Sequence, residues 1–250
     1  MEINLRQKYF NRFEIKYQIS MIQKNILSRQ IHPFMELDPY VNNNHNYEVR
    51  SVYFDSPFRK SFFEKINGVG IRVKLRIRYY PDFQNGNQEF VFLELKKKIN
   101  ENVSKSRILV PFLDAFEIID NSTEKAKNFY NKATNEDKIK LKEMWYLFNR
   151  YNLKPICVVC YNREPYMDKM ENRFRLTFDT NVRVRYFDFD LHSGEGSKYV
   201  VPPNLCIMEI KFNNFIPNWI IKIFQKNNII QEKTSKFANG LERGIIFSIV

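Results

Sequence analysis

Apolar and polar residues alternate with period two along much of the chain, in RFEIKY, VRSVYFD, GIRVKLRIRYY, EFVFLELKKK, VSKSRILV, ICVVCYNREPY, RFRLTFD, VRVRY and LCIMEIKF. Successive side chains of a strand point to opposite faces, so these runs predict about nine strands, each with one apolar and one polar face. Helical spacing replaces this alternation over residues 20–36 and over residues 123–150. In the second stretch Ala126, Phe129, Tyr130 and Ala133, then Leu141, Met144, Trp145 and Phe148, recur on one side. NWIIKIFQKN, following Pro217, predicts a third helix with an apolar face. Turn-forming residues in NNNHN (42–46), QNGN (84–87) and SGEGS (193–197) mark surface loops between strands. None resembles an interdomain linker, so residues 1–250 read as a single domain.

The polar faces are unusual in composition. Arg72, Lys74, Arg76 and Arg78 share one face of GIRVKLRIRYY, and Ile71, Val73, Leu75 and Ile77 share the other. By the same parity Glu14 pairs with Lys16, Glu94 with Lys96 and Lys98, Lys105 with Arg107, and Glu209 with Lys211. Arg173, Arg175 and Asp179 also share a face, as do Arg183 and Arg185. One reading is an antiparallel sheet with its charged face in water. The other closes about eight strands into a barrel, turning the charged residues inward around a wet tunnel that a bound polyanion would neutralise. The near absence of Ser, Thr, Asn and Gln from these faces favours the second.

The whole chain carries 40 Lys and Arg against 28 Asp and Glu, a net charge of +12 that fits a polyanionic partner. Three cysteines, Cys157, Cys160 and Cys206, are too few for a disulfide framework and favour a reducing compartment. No segment is apolar enough to span a membrane, so a cytoplasmic protein is expected. A strand puts Cys157 and Cys160 on opposite faces, which makes them core residues rather than a metal pair. His32, His45 and His192 have no triad partners, and no P-loop motif is present. Glu14, Glu94, Asp179 and Glu209 each stand beside basic residues; such carboxylates suit either salt bridging or a hard ion, Mg²⁺ or Mn²⁺, shared with phosphate oxygens.

FEIKY, SVYFDSP, KLRIRYY, FLELKKK with VSKSR, YNREPY, RLTFD, MEIKF and TSKF occur in that order. This ordered set, over about residues 8–240, resembles the VTC domain, the catalytic module of polyphosphate polymerases within the triphosphate tunnel metalloenzyme superfamily. The resemblance implies an α+β fold, an antiparallel closed barrel of about eight strands with helices outside. It implies ATP and inorganic polyphosphate as partners and Mn²⁺ or Mg²⁺ as cofactor. Matched residue by residue, it assigns Lys16, Arg76, Arg78, Lys96, Arg163 and Arg175 to catalysis, with Lys16 near the transferred phosphate and Arg76 and Arg78 on nucleotide phosphates. Lys105, Lys233, Ser235 and Lys236 are implied phosphate contacts, and Arg107 and Lys211 join them as substrate-binding residues of the same parity. Glu209 is the implied metal ligand, with Glu14 beside it. Ser106 departs from the pattern, standing where a further basic residue is expected. The regulatory and transmembrane parts of the eukaryotic polymerases are expected to be absent.

The expected reaction is in-line transfer of the ATP γ-phosphoryl group to a growing chain, with no protein nucleophile. A triphosphatase using the same tunnel is the enzymatic alternative. A non-catalytic module binding polyphosphate or nucleic acid is the alternative outside catalysis. Nucleic acid is not expected, because Phe and Tyr fall mostly on the apolar parity, away from the cations a stacking platform would interleave.

Overall fold

A computed structural model describes residues 12–248, apart from 40, 42–44, 84–88, 101, 171–173 and 232–234. In chain order the elements are β1 (Arg12–Ser20), α1 (Met21–Ile31), β2 (Met35–Leu37), β3 (Tyr47–Asp55), α2 (Lys60–Ile66), β4 (Ile71–Tyr79), β5 (Phe90–Ile99) and β6 (Asn102–Pro111). There follow α3 (Ala115–Asp120), α4 (Glu124–Lys132), α5 (Asn135–Arg150), β7 (Lys154–Asp168), β8 (Phe174–Arg185), β9 (Lys198–Tyr199), β10 (Leu205–Asn213), α6 (Asn218–Lys226) and α7 (Lys236–Ser248). The α+β expectation holds, and no helix among the described residues is long and apolar enough to cross a membrane.

The sheet is antiparallel throughout, in the order β1-β10-β8-β7-β3-β4-β5-β6, with β2 added to β7 and β9 to β8. Its apolar parity is covered by helices, as the alternation requires. Leu75, Ile77, Leu93 and Leu95 pack with residues of α3 and α5 in one cluster. Leu176, Phe178, Met208 and Ile210 pack with Leu27 and Ile31 of α1 and Ile220 and Phe224 of α6 in another. Cys157, Cys160 and Cys206 are buried and free, and burial pushes the Cys157 and Cys206 thiols up to about 12, as inert core cysteines require.

Two expectations need correction here. The ladder ends at β1 and β6, which touch but do not pair among the described residues, so the sheet is strongly curled rather than shown to be a closed barrel. The gap is spanned by side chains: Lys96 Nζ on β5 donates to Glu14 Oε2 on β1 at 2.9 Å. Second, RFRLTFD and VRVRY are one strand, β8, interrupted by a bulge at Asn181, whose φ is +52°. Cys160 pairs with Arg183 while Asn162 pairs with Thr180, so β8 carries one extra residue and its parity inverts. Asp179 therefore faces the concave side, whereas Arg183 and Arg185 face away from it. There Arg183 pairs with Glu48, and Arg185 donates to carbonyls of the 190–195 loop.

Helix boundaries follow local chemistry. Ser20 and Gln23 form a reciprocal capping box that starts α1. The predicted helix over 20–36 stops at Ile31, because Pro33 has no amide hydrogen to continue the ladder, and Met35–Leu37 pair instead with β7. The 123–150 stretch divides at Ala133 into α4 and α5, each capped by a threonine, Thr123 and Thr134.

Candidate active site

The concave face of the curled sheet collects the charged parity of six strands. On β4 and β5, Arg76 Nε donates to Glu94 Oε2 at 2.7 Å and Arg76 Nη1 to Tyr53 Oη at 2.9 Å. Arg78 Nε donates to Ser51 Oγ at 3.2 Å, Nη2 to Tyr161 Oη at 3.2 Å and Nη1 to Tyr80 Oη at 3.4 Å. Glu94, only 1% exposed, also takes an ion pair from Lys105. Burial opposes its ionisation, yet Arg76, Arg78 and Lys105 hold its carboxyl well below the usual range. Glu94 is thus the anion that makes a buried arginine pair tolerable.

A second wall forms where β1 meets β10 in the register Lys16↔Glu209 and Glu14↔Lys211. Lys16 Nζ donates to Glu14 Oε1 at 2.6 Å and lies 3.5 Å from Glu209 Oε2, while Lys211 Nζ lies 2.5 Å from Glu209 Oε1. Burial and mutual repulsion act to raise the Glu14 carboxyl, but Lys16, Lys96 and Lys211 outweigh them and hold it low. Glu209 is likewise held far down, against burial, by Lys211, Lys16, Arg163 and Lys236. Between the walls Arg163 makes a two-pronged ion pair with Asp179, at 2.7 Å and 2.8 Å, and Lys236 pairs with the same carboxylate. Through Lys236 and Phe237, α7 is pinned into the concavity, where Phe237, Ala238 and Leu241 pack with Val182, Val184 and Tyr53.

These groups surround a cavity of about 130 Å³. Its described lining holds eight cationic side chains, Lys16, Lys74, Arg76, Arg78, Lys96, Arg163, Lys211 and Lys236, against two carboxylates, Glu14 and Glu209. That surplus suits a ligand with several negative charges. The inward reading of GIRVKLRIRYY is the one the structure adopts for Lys74, Arg76 and Arg78. A larger cavity of about 390 Å³ lies elsewhere, beside α6, and is lined by Tyr17, Phe224, Ile221 and other uncharged residues, which gives an anion nothing to bind.

The VTC domain family profile matches residues 11–244. The chain belongs to the VTC domain family. No curated protein sequence matches it. Among solved structures it is similar to an adenylate cyclase candidate from Bacillus halodurans, with TM-score 0.51 and 14% identity over 90% of this chain and 95% of that one. It is also similar to an adenylyl cyclase candidate from Hippeastrum described as having a dominant triphosphatase activity, with TM-score 0.49 and 16% identity over 91% of this chain and 93% of that one. The fold is that of the triphosphate tunnel metalloenzymes, and the chain reads as a triphosphate tunnel enzyme.

Within this VTC domain the predicted residues divide. Lys16, Arg76, Arg78, Lys96, Arg163, Lys211, Ser235, Lys236, Glu14 and Glu209 all reach the cavity. Lys105 stands behind Glu94 and does not line it. Arg107 is exposed, its guanidinium 5.0 Å from the Phe92 ring centroid. Arg175 is exposed at the end of β8, beside Lys211 in the ladder, so it belongs to the rim rather than to the catalytic centre. Lys233 and Arg173 lie outside the described residues. Sequence reasoning missed Tyr53, Tyr161 and Phe237. Tyr53 shares parity with Ser51 and Tyr161 with Arg163, and that shared parity was the available signal.

The superfamily uses divalent metal ions, and Glu14 and Glu209 fit one. They are ionised, adjacent across the β1–β10 ladder and open to the cavity, which provides hard oxygen donors without a full cage. No group of three or more His, Cys, Asp and Glu placed to hold a metal ion exists among the described residues, so water and phosphate oxygens would complete the shell.

Proposed function

We propose that this VTC domain is an ATP-dependent polyphosphate polymerase, transferring the γ-phosphoryl group of ATP to the end of a growing inorganic polyphosphate chain. The observation that carries the reading is the convergence of a locked arginine cluster and a lysine–carboxylate wall on one small cavity. Donor and acceptor are both polyanions, and their repulsion is the main obstacle to in-line attack. Arg76, Arg78 and Arg163 present forked donors whose orientation is fixed by Glu94, Tyr53, Tyr161 and Asp179, so little reorganisation accompanies charge build-up on the transferred group. Lys16 and Lys96 supply mobile point charges, each already close to Glu14. Glu209 and Glu14 would hold Mg²⁺ or Mn²⁺, which supplies Lewis-acid neutralisation of phosphate oxygens when bound. No side chain need form a covalent intermediate.

A second reading, hydrolysis of a short triphosphate, is favoured by a different observation. Phe237, Ala238 and Leu241 of α7 fill the concavity at one end with apolar contacts, a poor surface for a lengthening polyanion to cross. Incubating the purified chain with ATP and Mn²⁺ and resolving the products by gel decides between them. Long-chain polyphosphate is expected; free phosphate with no chains would assign the site to the hydrolase.

A further inference from the structure

Not all aromatic residues follow the apolar parity. Phe92 pairs across the ladder with Arg78, and Glu94 with Arg76, so Phe92 lies on the cavity side. Tyr47 pairs with Arg163 and so shares its face. Tyr80 extends the parity of Arg76 and Arg78, and its hydroxyl accepts from Arg78. These three rings and Phe83 form one half-buried cluster: Tyr47 to Phe83 is 5.0 Å between centroids, Tyr47 to Tyr80 and Tyr80 to Phe83 are 5.8 Å, and Tyr80 to Phe92 is 6.0 Å.

The cluster is built rather than incidental. The Phe83 amide donates to the Tyr80 carbonyl, and Asp82 accepts from the Glu48 amide, which fixes the Pro81–Phe83 turn against β3. The Arg107 guanidinium sits over the Phe92 ring. The patch therefore continues directly from the arginine cluster through Arg78 and Arg163. It offers a group of π-faces and a planar cation beside a cavity whose own rings, Tyr53, Tyr161 and Phe237, already carry Arg76, Arg163, Lys236 and Lys74.

A ligand made of phosphate alone has no use for such a surface. One that joins a planar aromatic group to a polyphosphate satisfies both regions at once, since aromatic rings and arginine planes stack on bases while the cations take the phosphates. Resting on the reading of this protein as an ATP-using enzyme, we infer that the Tyr47, Tyr80, Phe83 and Phe92 cluster with Arg107 is the docking site for the base of the nucleotide, at the mouth of the phosphate cavity.

Calorimetric titration with two non-hydrolysable ligands in Mn²⁺ tests this: the imido analogue of ATP and imidotriphosphate. Wild-type protein is expected to bind the nucleotide more tightly. Phe92→Ala should weaken the nucleotide about tenfold, 1.4 kcal/mol, and leave imidotriphosphate unchanged. Phe92→Leu, which keeps apolar bulk at the position, should behave the same way, and Phe92→Trp should retain the preference. Equal wild-type affinity for the two ligands, or a parallel loss of both in Phe92→Leu, overturns the inference. Binding of neither ligand by wild type overturns the phosphate cavity with it. An intact stacking preference without polyphosphate synthesis overturns only the polymerase reading.

Discussion

The two walls of the cavity solve the problem of buried charge differently. Along β4 and β7 the wall is made by arginines, and each fork is fixed by a carboxylate or hydroxyl: Arg76 on Glu94 and Tyr53, Arg78 on Ser51, Tyr80 and Tyr161, Arg163 on Asp179. Along β1 and β10, with Lys96 reaching across from β5, the cations are lysines sharing carboxylates, Lys16 between Glu14 and Glu209, Lys96 on Glu14, Lys211 on Glu209. The first wall keeps donors beyond those already committed and holds them rigidly toward the cavity. On the second wall an arriving phosphate or metal ion competes with existing ion pairs and must exchange partners. The contrast is one between a preorganised cradle and an exchangeable ion shell.

The strongest test of the contrast is Glu209→Ala. Losing the carboxylate central to the exchangeable wall should lower Mn²⁺-dependent turnover by on the order of 10³, the upper range for a preorganised electrostatic group. Circular dichroism should remain native, and metal-free binding of imidotriphosphate should persist on the arginine wall. Loss of that binding together with turnover would erase the distinction between the walls.

Arg76→Ala addresses the other side, with an expected loss of about 10² in turnover and a raised ATP requirement. It also leaves Glu94 buried with reduced compensation, which should cost about 3 kcal/mol in denaturant unfolding, the low end for a broken buried pair because Lys105 remains on Glu94. Arg76→Lys, which keeps a cation beside Glu94 but loses the fork, should restore most of the stability without restoring turnover. If turnover returned as well, Arg76 would serve the fold rather than the phosphates.

The smallest effect concerns Lys74, which lies between the two walls. Its Nζ sits 4.1 Å from the Phe237 ring centroid, and no carboxylate partner is seen for it among the described residues. Burial, reinforced by Lys16 and Lys96, pulls its pKa down to about 7, and burial lowers Lys105 to about 8 against the pull of Glu94. Of the two, only Lys74 lines the cavity, and it binds an anion in the protonated form. Affinity for imidotriphosphate should therefore be greatest below pH 7 and weaken as pH rises through 7, with proton uptake on binding. Lys74→Met should flatten the profile near pH 7 at a cost of no more than about tenfold in affinity. An unchanged profile would mean that Lys74 is only packing against Phe237.

Much of the site was legible because strand parity and ladder register carry the same information. Arg76, Glu94 and Lys105 alternate in their own runs, and antiparallel pairing brings those runs side by side. The same logic failed at β8, where a single extra residue at Asn181 sends Arg183 and Arg185 to the opposite face from Asp179. A bulge has no hydrophobic signature, and VRVRY alternates equally well in either orientation. Arg175 failed for another reason. Its parity is correct, but its place near the end of β8 puts it beyond the cavity, and parity says nothing about depth along a strand.

By itself the sequence determined the antiparallel sheet, the helices on its apolar side and the gathering of Arg, Lys and Glu on the other, since all of these follow from local periodicity. Tertiary structure decided what periodicity cannot express. It left β1 and β6 touching but unpaired among the described residues, placed α7 inside the curl, made Glu94 and Asp179 partners for arginines, and left Glu14 and Glu209 facing the cavity. Which carboxylate is held by arginines and which faces the cavity in exchangeable lysine pairs depends on distances across the concavity, between residues far apart in the chain.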